Sequence, residues 1–177
     1  MNSRVKLLGH PLHPMLVVYP LGLLSTAVIF DLIHMINNNP TLSVVSYWMI
    51  AAGLVGGLLA AVIGLWEWLA VPDDSRAKGV GMWHGLGNAT IVVLFALSWW
   101  LRTGVQDNAP SALAFILSLL GFGLALVTGW LGGELVYRLG IGVDHGANVN
   151  APNSLSEKSA GTATQSKKHS GRTTGSR

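Results

Sequence analysis

Apolar positions in this chain come in four long, nearly unbroken runs and do not alternate with polar ones. The runs cover residues 15–35, 44–70, 80–101 and 112–136. Each has roughly the 20 residues that a helix needs to cross about 30 Å of hydrocarbon. A segment in lipid has to pair its own backbone amides, so the runs predict four transmembrane helices. The stretches between them are short and hold helix breakers: Asn37-Asn38-Asn39-Pro40, Val71-Pro72-Asp73-Asp74 and Asp107-Asn108-Ala109-Pro110. Short connections make neighbouring helices antiparallel. The expected fold is therefore all-α, an integral membrane up-down four-helix bundle with a disordered C-terminal tail. Residues 1–14 form a leader, 15–137 the membrane domain and 138–177 the tail.

Small residues inside the runs point to the packing faces. Gly53, Gly57, Ala60 and Gly64 lie in the second run, and Gly121, Ala125, Gly129 and Gly133 recur every four residues in the fourth. Lipid offers no hydrophobic drive between helices, so such stripes serve close backbone approach. Pro20 removes one backbone hydrogen bond from the first helix and predicts a kink there.

Composition agrees with the pattern. Charged residues make up 11% of the chain, under half of the roughly 25% usual in soluble domains. There is no cysteine, which excludes disulfide frameworks, thiolate metal sites and cysteine nucleophiles. Residues 151–177 hold five basic side chains against one acidic, while the first 150 residues hold six against seven. The basicity thus belongs to the tail. No basic stripe marks a folded nucleic-acid-binding face. After Asn150 the chain has almost nothing to bury and is expected to be disordered. Near the span ends, Arg4, Lys6, Arg76, Lys78 and Arg138 fall on one side and only Arg102 on the other. That bias puts both termini in the cytoplasm. The seven tryptophans lie at or near span ends, as an interfacial belt requires.

Ionisable residues at membrane depth are costly, so each is a functional hypothesis. His10 and His13 stand in Gly9-His10-Pro11-Leu12-His13-Pro14, each before a proline that favours extended backbone. Polyproline geometry would set them on one face, roughly 9 Å apart. His84 opens the third run, with Asn88 four residues on and Ser98 and Arg102 continuing the same stripe. Glu67 ends the second run and Glu134 the fourth. All five His and Glu residues fall at the cytoplasmic boundary of the expected topology. A weak repeat runs histidine, helix, helix, glutamate, with His13 and Glu67 54 residues apart and His84 and Glu134 50 apart. A parallel duplication of this kind would gather two His and two Glu about one axis. Imidazole and carboxylate suit a transition-metal ion, and paired imidazoles suit haem b. Against a shared site, Glu134 points roughly 160° from the small-residue stripe of its own helix. Interfacial His and Glu also serve simply as anchors, helix caps or partners of Arg76 and Arg138. At the opposite boundary Asp31, His34 and Arg102 stand level with one another. They read as an ion pair or, more sharply, as the start of a proton path.

The stretch Gly-His-Pro-Leu-His-Pro-Met-Leu-Val, followed by Pro20, Gly22 and Asp31, resembles a known group. So do the Pro72 turn, His84 with Asn88, and Gly129-Trp130-Leu131-Gly132-Gly133-Glu134-Leu135-Val136-Tyr137. The chain is similar over about residues 7–146 to bacterial four-span predicted membrane proteins of domain-of-unknown-function family 2231. The resemblance implies a multi-pass protein of the bacterial cytoplasmic membrane and supplies no activity. Some relatives carry Rieske-type iron–sulfur domains, which implies a redox setting.

The leading expectation is a membrane protein binding haem b or a transition metal for electron transfer. His13 and His84 are the candidate ligands, His10 a further ligand or proton carrier, Asn88 a cofactor-binding residue, and Glu67 and Glu134 further metal ligands. The alternatives are a small proton- or ion-coupled transporter using Asp31, His84, Asn88 and Arg102, and a structural or assembly subunit. Expected partners are the lipid bilayer, redox proteins or a second copy of the chain. No phosphate loop or nucleophile elbow marks an enzyme. A C-terminal reporter fusion is expected to be active on the cytoplasmic side, and an exported reporter signal would reverse the topology.

Overall fold

The structure, a computed structural model, describes residues 2–156 and 158–161. The expectation of disorder over residues 162–177 therefore lies outside the described residues. A short hairpin of β1 (Lys6–Leu7) and β2 (His10–Pro11) leads into α1 (Leu12–Leu16) and α2 (Val18–Asn37). Three more helices follow: α3 (Pro40–Leu69), α4 (Arg76–Leu101) and α5 (Ala112–Gly133). Four helical segments, Leu12–Asn37, Pro40–Leu69, Arg76–Leu101 and Gln106–Arg138, are long and apolar enough to cross a membrane.

Local chemistry sets the element ends. Asn39, Ser75 and Ser111 cap α3, α4 and α5, each side chain accepting from a backbone N–H in the first turn. Pro40 follows its cap at the first helical position, where no N–H is missed. Asn38 closes α2 in the left-handed region, with its N–H on His34 O. At the end of α3, Lys78 Nζ donates to the carbonyls of Trp68 and Val71. It also lies 4.2 Å from the Trp68 ring centroid.

Two sequence expectations shift here. The effect of Pro20 is a break at Val17, between α1 and α2, one turn before the proline. The ring of Pro20 crowds the carbonyl four residues back, which is Leu16 O, the last residue of α1. His13, expected on an extended leader, sits inside α1 instead. In the first turn of a helix its proline neighbour needs no N–H acceptor.

Contacts between α2 and α3 run in opposite directions along the two helices: Ala27 meets Ser46, Leu24 meets Gly53, and His13 of α1 meets Ala60 and Gly64. The same order recurs between α4 and α5, where Ser98 meets Ala114, Phe95 meets Gly121, and His84 meets Thr128 and Gly132. The two hairpins are thus one unit used twice. Residues of the first helix recur 71 positions on, as His13 to His84, and those of the second 68 positions on, as Gly53 to Gly121. Across the repeat, α3 packs on α4 and α5 on α2. Leu24, Ala27, Val28, Ile50, Ile91 and Phe95 form the core. Leu58, Leu59, Val62, Leu119, Leu120 and Leu126 point outward, where lipid belongs.

The repeat corrects two readings of the sequence. By the 68-residue shift, Glu67 corresponds to Leu135 and Glu134 to Trp66, so the two glutamates are not equivalent. The contact face of α5 follows Gly121, Thr128 and Gly132, while Gly129 meets nothing within 4 Å and Gly133 only its own Tyr137. A step of four residues overshoots a full turn by about 40°, so a strict every-four stripe from Gly121 has turned about 80° by Gly129 and left the face.

A side chain at Gly121 has to displace Phe95, because a Cβ there would lie 2.7 Å from Phe95 Cε2, whereas Gly123 has nothing within 4 Å. Gly121→Leu is expected to cost about 1–3 kcal/mol by overpacking. Gly123→Leu is expected to leave the thermal unfolding midpoint in detergent unchanged.

Candidate functional site

Two polar sites occupy opposite ends of the bundle. At the end formed by α1, the close of α3, the start of α4 and the close of α5, the repeat brings His13 and His84 together. Their ring centroids are 6.4 Å apart and the rings are inclined by 77°. His13 Nδ1 lies 2.9 Å from Ala60 O, and His84 Nδ1 lies 2.9 Å from Thr128 O. A carbonyl only accepts, so each Nδ1 carries a proton directed at it, and Nε2 is the ring nitrogen left for another partner. Glycine makes room for both rings. A Cβ at Gly64 would approach His13 Cε1 to 2.8 Å, and one at Gly132 would approach His84 Cε1 to 3.2 Å.

The pair is not symmetric in its surroundings. Asn88 Nδ2 donates to His84 Nε2 at 3.1 Å and to His84 O at 2.8 Å. Thr128 Oγ1 lies 3.3 Å from Asn88 Oδ1, which orients the amide. The position equivalent to Asn88 in the first hairpin is Val17, so His13 has no such amide.

The other residues singled out at this end go elsewhere. His10 Nε2 faces Ser154 Oγ at 3.2 Å on the exposed leader. Glu67 accepts from Ser3, and Glu134 accepts from Arg76 Nη2 at 2.6 Å. Glu134 sits where the last turn of the fourth span widens, with Leu139 N–H reaching Glu134 O. Among the described residues no group of three or more His, Asp or Glu side chains is placed to hold a metal ion. The expected gathering of two His and two Glu thus reduces to one pair of imidazoles, because the glutamates stand at non-equivalent positions and each meets a partner of its own.

At the other end Arg102 and Asp31 are both fully buried and paired side by side. Arg102 Nη1 donates to Asp31 Oδ1 at 2.8 Å and Nη2 to Asp31 Oδ2 at 2.6 Å. Ser46, Ser98 and Ser118 surround the guanidinium at 3.2, 3.1 and 3.4 Å. Arg102 Nε has no partner. His34 takes no part, its Nδ1 lying 2.8 Å from Asn39 O in the α2–α3 turn. Between the two ends stand Leu24, Val28, Ile91 and Phe95, an apolar layer that separates His84 and Asn88 from Asp31 and Arg102.

Ser46, Ser118 and Thr128 were not anticipated. Their signal was present as isolated hydroxyls in otherwise apolar runs, spaced to face inward with Gly53, Gly121 and Gly132.

The family model described as predicted membrane protein (DUF2231) matches residues 9–145 of this chain. The chain belongs to that family. The match bears out the resemblance seen at the His-Pro leader and the Gly-Gly-Glu ending, and with four apolar helices it makes this a membrane protein. No curated protein and no solved structure matches the chain.

The two ion pairs differ in what they hold. Arg76 is mostly exposed, so Arg76→Ala is expected to lower stability by under about 1 kcal/mol. Arg102→Ala leaves a carboxylate buried without its partner, with an expected loss of about 3–5 kcal/mol. Chemical or thermal unfolding in detergent measures both.

Proposed function

We propose that this membrane protein holds haem b or a single transition-metal ion between His13 and His84 and works in electron transfer. The observation that carries the reading is the 6.4 Å separation of the two imidazole centroids. With metal–nitrogen bonds of about 2 Å, two imidazoles on opposite sides of one metal atom have centroids about 6 Å apart. Tying Nδ1–H to a backbone carbonyl is how ligating histidines are oriented, with Nε2 left as the basic nitrogen. The donor set is two imidazoles with no thiolate, and both nearby carboxylates are engaged elsewhere. Two imidazoles alone suit haem iron, whose other four ligands come from the macrocycle, better than an ion that needs four protein ligands.

Asn88 holds His84 Nε2 now and would have to turn from it for that nitrogen to serve as a ligand, while its second bond to His84 O would keep the amide nearby. A bound haem or metal would supply the one-electron chemistry, and the chain would supply the two oriented nitrogens. The apolar layer of Leu24, Val28, Ile91 and Phe95 weighs against a polar conduction path through the bundle.

The test is an absorption spectrum of the protein purified in detergent, before and after dithionite, with metals quantified on the same sample. A Soret band that shifts on reduction is expected, and His13→Ala or His84→Ala should abolish it. Gly64→Val should weaken it by pushing the His13 ring aside, while Glu67→Gln and Glu134→Gln should leave it intact. A colourless sample with stoichiometric metal lost in His84→Ala keeps the pair as an ion site without haem. A colourless, metal-free protein from cells supplied with both overturns the reading.

A further inference from the structure

We infer that the buried Asp31–Arg102 pair is the device by which this chain joins its first hairpin to its second and refuses the like hairpin of another copy. Asp31 and Arg102 are 71 residues apart, the same shift that relates His13 to His84, so they occupy one position in the repeated unit. They meet because that position faces itself across the bundle. Two first hairpins from different copies, packed in the same way, would set Asp31 against Asp31. Two second hairpins would set Arg102 against Arg102. Like charges buried in lipid without a counterion are excluded, so only the unlike pairing closes.

Other contacts cross the same junction: Tyr47 stacks on Trp99 at 5.2 Å and Ser43 Oγ donates to Asp107 O at 2.9 Å. They favour the observed pairing, but none sets like charges against each other in the wrong one. The ion pair is the contact that makes a like hairpin repel.

The hydroxyls around the guanidinium are arranged for one direction only. Ser98 and Ser118 belong to the second hairpin, and their equivalents in the first are Ala27 and Ile50. An arginine on α4 is therefore the better served, while the charge pairing itself can run in either direction. Asp31 and the serines partner both terminal nitrogens of Arg102, while Nε is left without one. A buried ion pair desolvated to this degree contributes selectivity more than net stability.

The absence of cysteine from the chain allows a direct test. A Cβ at Gly57 would lie 3.6 Å from Val92 Cγ2, so Gly57→Cys with Val92→Cys reports the α3–α4 junction by oxidative cross-linking of the full chain in membranes. The parent should give an intramolecular cross-link in a monomer. Asp31→Leu with Arg102→Leu should keep its helical circular dichroism, while the intramolecular product falls about tenfold or more and dimers appear in native mass spectrometry, because like hairpins set position 57 against 21 and 92 against 125 and leave the two cysteines apart. Asp31→Arg alone should lose the intramolecular product, and Asp31→Arg with Arg102→Asp should recover much of it. The inference is overturned if the double-leucine variant cross-links as the parent does. It is equally overturned if that variant loses its helices, since the pair would then be needed for stability and not for choice. A charge-exchanged variant that stays helical but recovers nothing also overturns it.

Discussion

Helices in a bilayer gain nothing from hiding apolar surface from water, so what holds this bundle together is how closely its backbones approach. Everything else in the structure follows from two such approaches, Leu24 on Gly53 and Phe95 on Gly121. They bring α2 onto α3 and α4 onto α5 near the middle of the span. From that point the hairpins reach both ends in register. The histidines arrive together at one end and the unlike charges at the other. Glycine at positions 64 and 132 extends the close approach just far enough to admit an imidazole where a larger residue would exclude it.

The two ends use polarity in opposite ways. At the aspartate end every serine around Arg102 is fully buried and bonded, with Ser46 on Ala27 O and Ser98 on Ala114 O crossing between helices. Those two bonds are the same junction with donor and acceptor helices exchanged, a sign that divergence after duplication moved the hydroxyl and kept the contact. At the histidine end the groups are only partly buried and the asymmetry lies in Asn88 against Val17. The scaffold is nearly two-fold, and its chemistry is not.

Much of the fold was legible in the residues. Run length and the breakers at Pro40, Pro72 and Pro110 placed four helices, because in lipid a long apolar segment has no alternative to the helix. His84 with Asn88 and the stripe through Ser98 to Arg102 were readable from helical spacing, and the structure keeps Ser98 and Arg102 buried on that face. The site was less legible. Glu67 and Glu134 matched by eye because each ends a span, yet they differ by one position in the repeat, and one position on a helix is about 100°. His10 and His13 looked alike because both precede proline, but only His13 falls inside a helix that packs on α3. The repeat itself was faint because its strongest evidence, Asp31 matched to Arg102, consists of residues of opposite charge.

That matching has a consequence for how the protein is made. Asp31 leaves the ribosome 71 residues before Arg102, an interval of several seconds or more at about 5–20 residues per second. Helix formation is faster by many orders of magnitude, so the first hairpin is complete while its carboxylate still has no cation. Until α4 arrives, that hairpin has to wait with Asp31 at the water boundary, close to where the α2–α3 turn leaves it. Biogenesis is thereby ordered: the second half of the chain completes the insertion of the first.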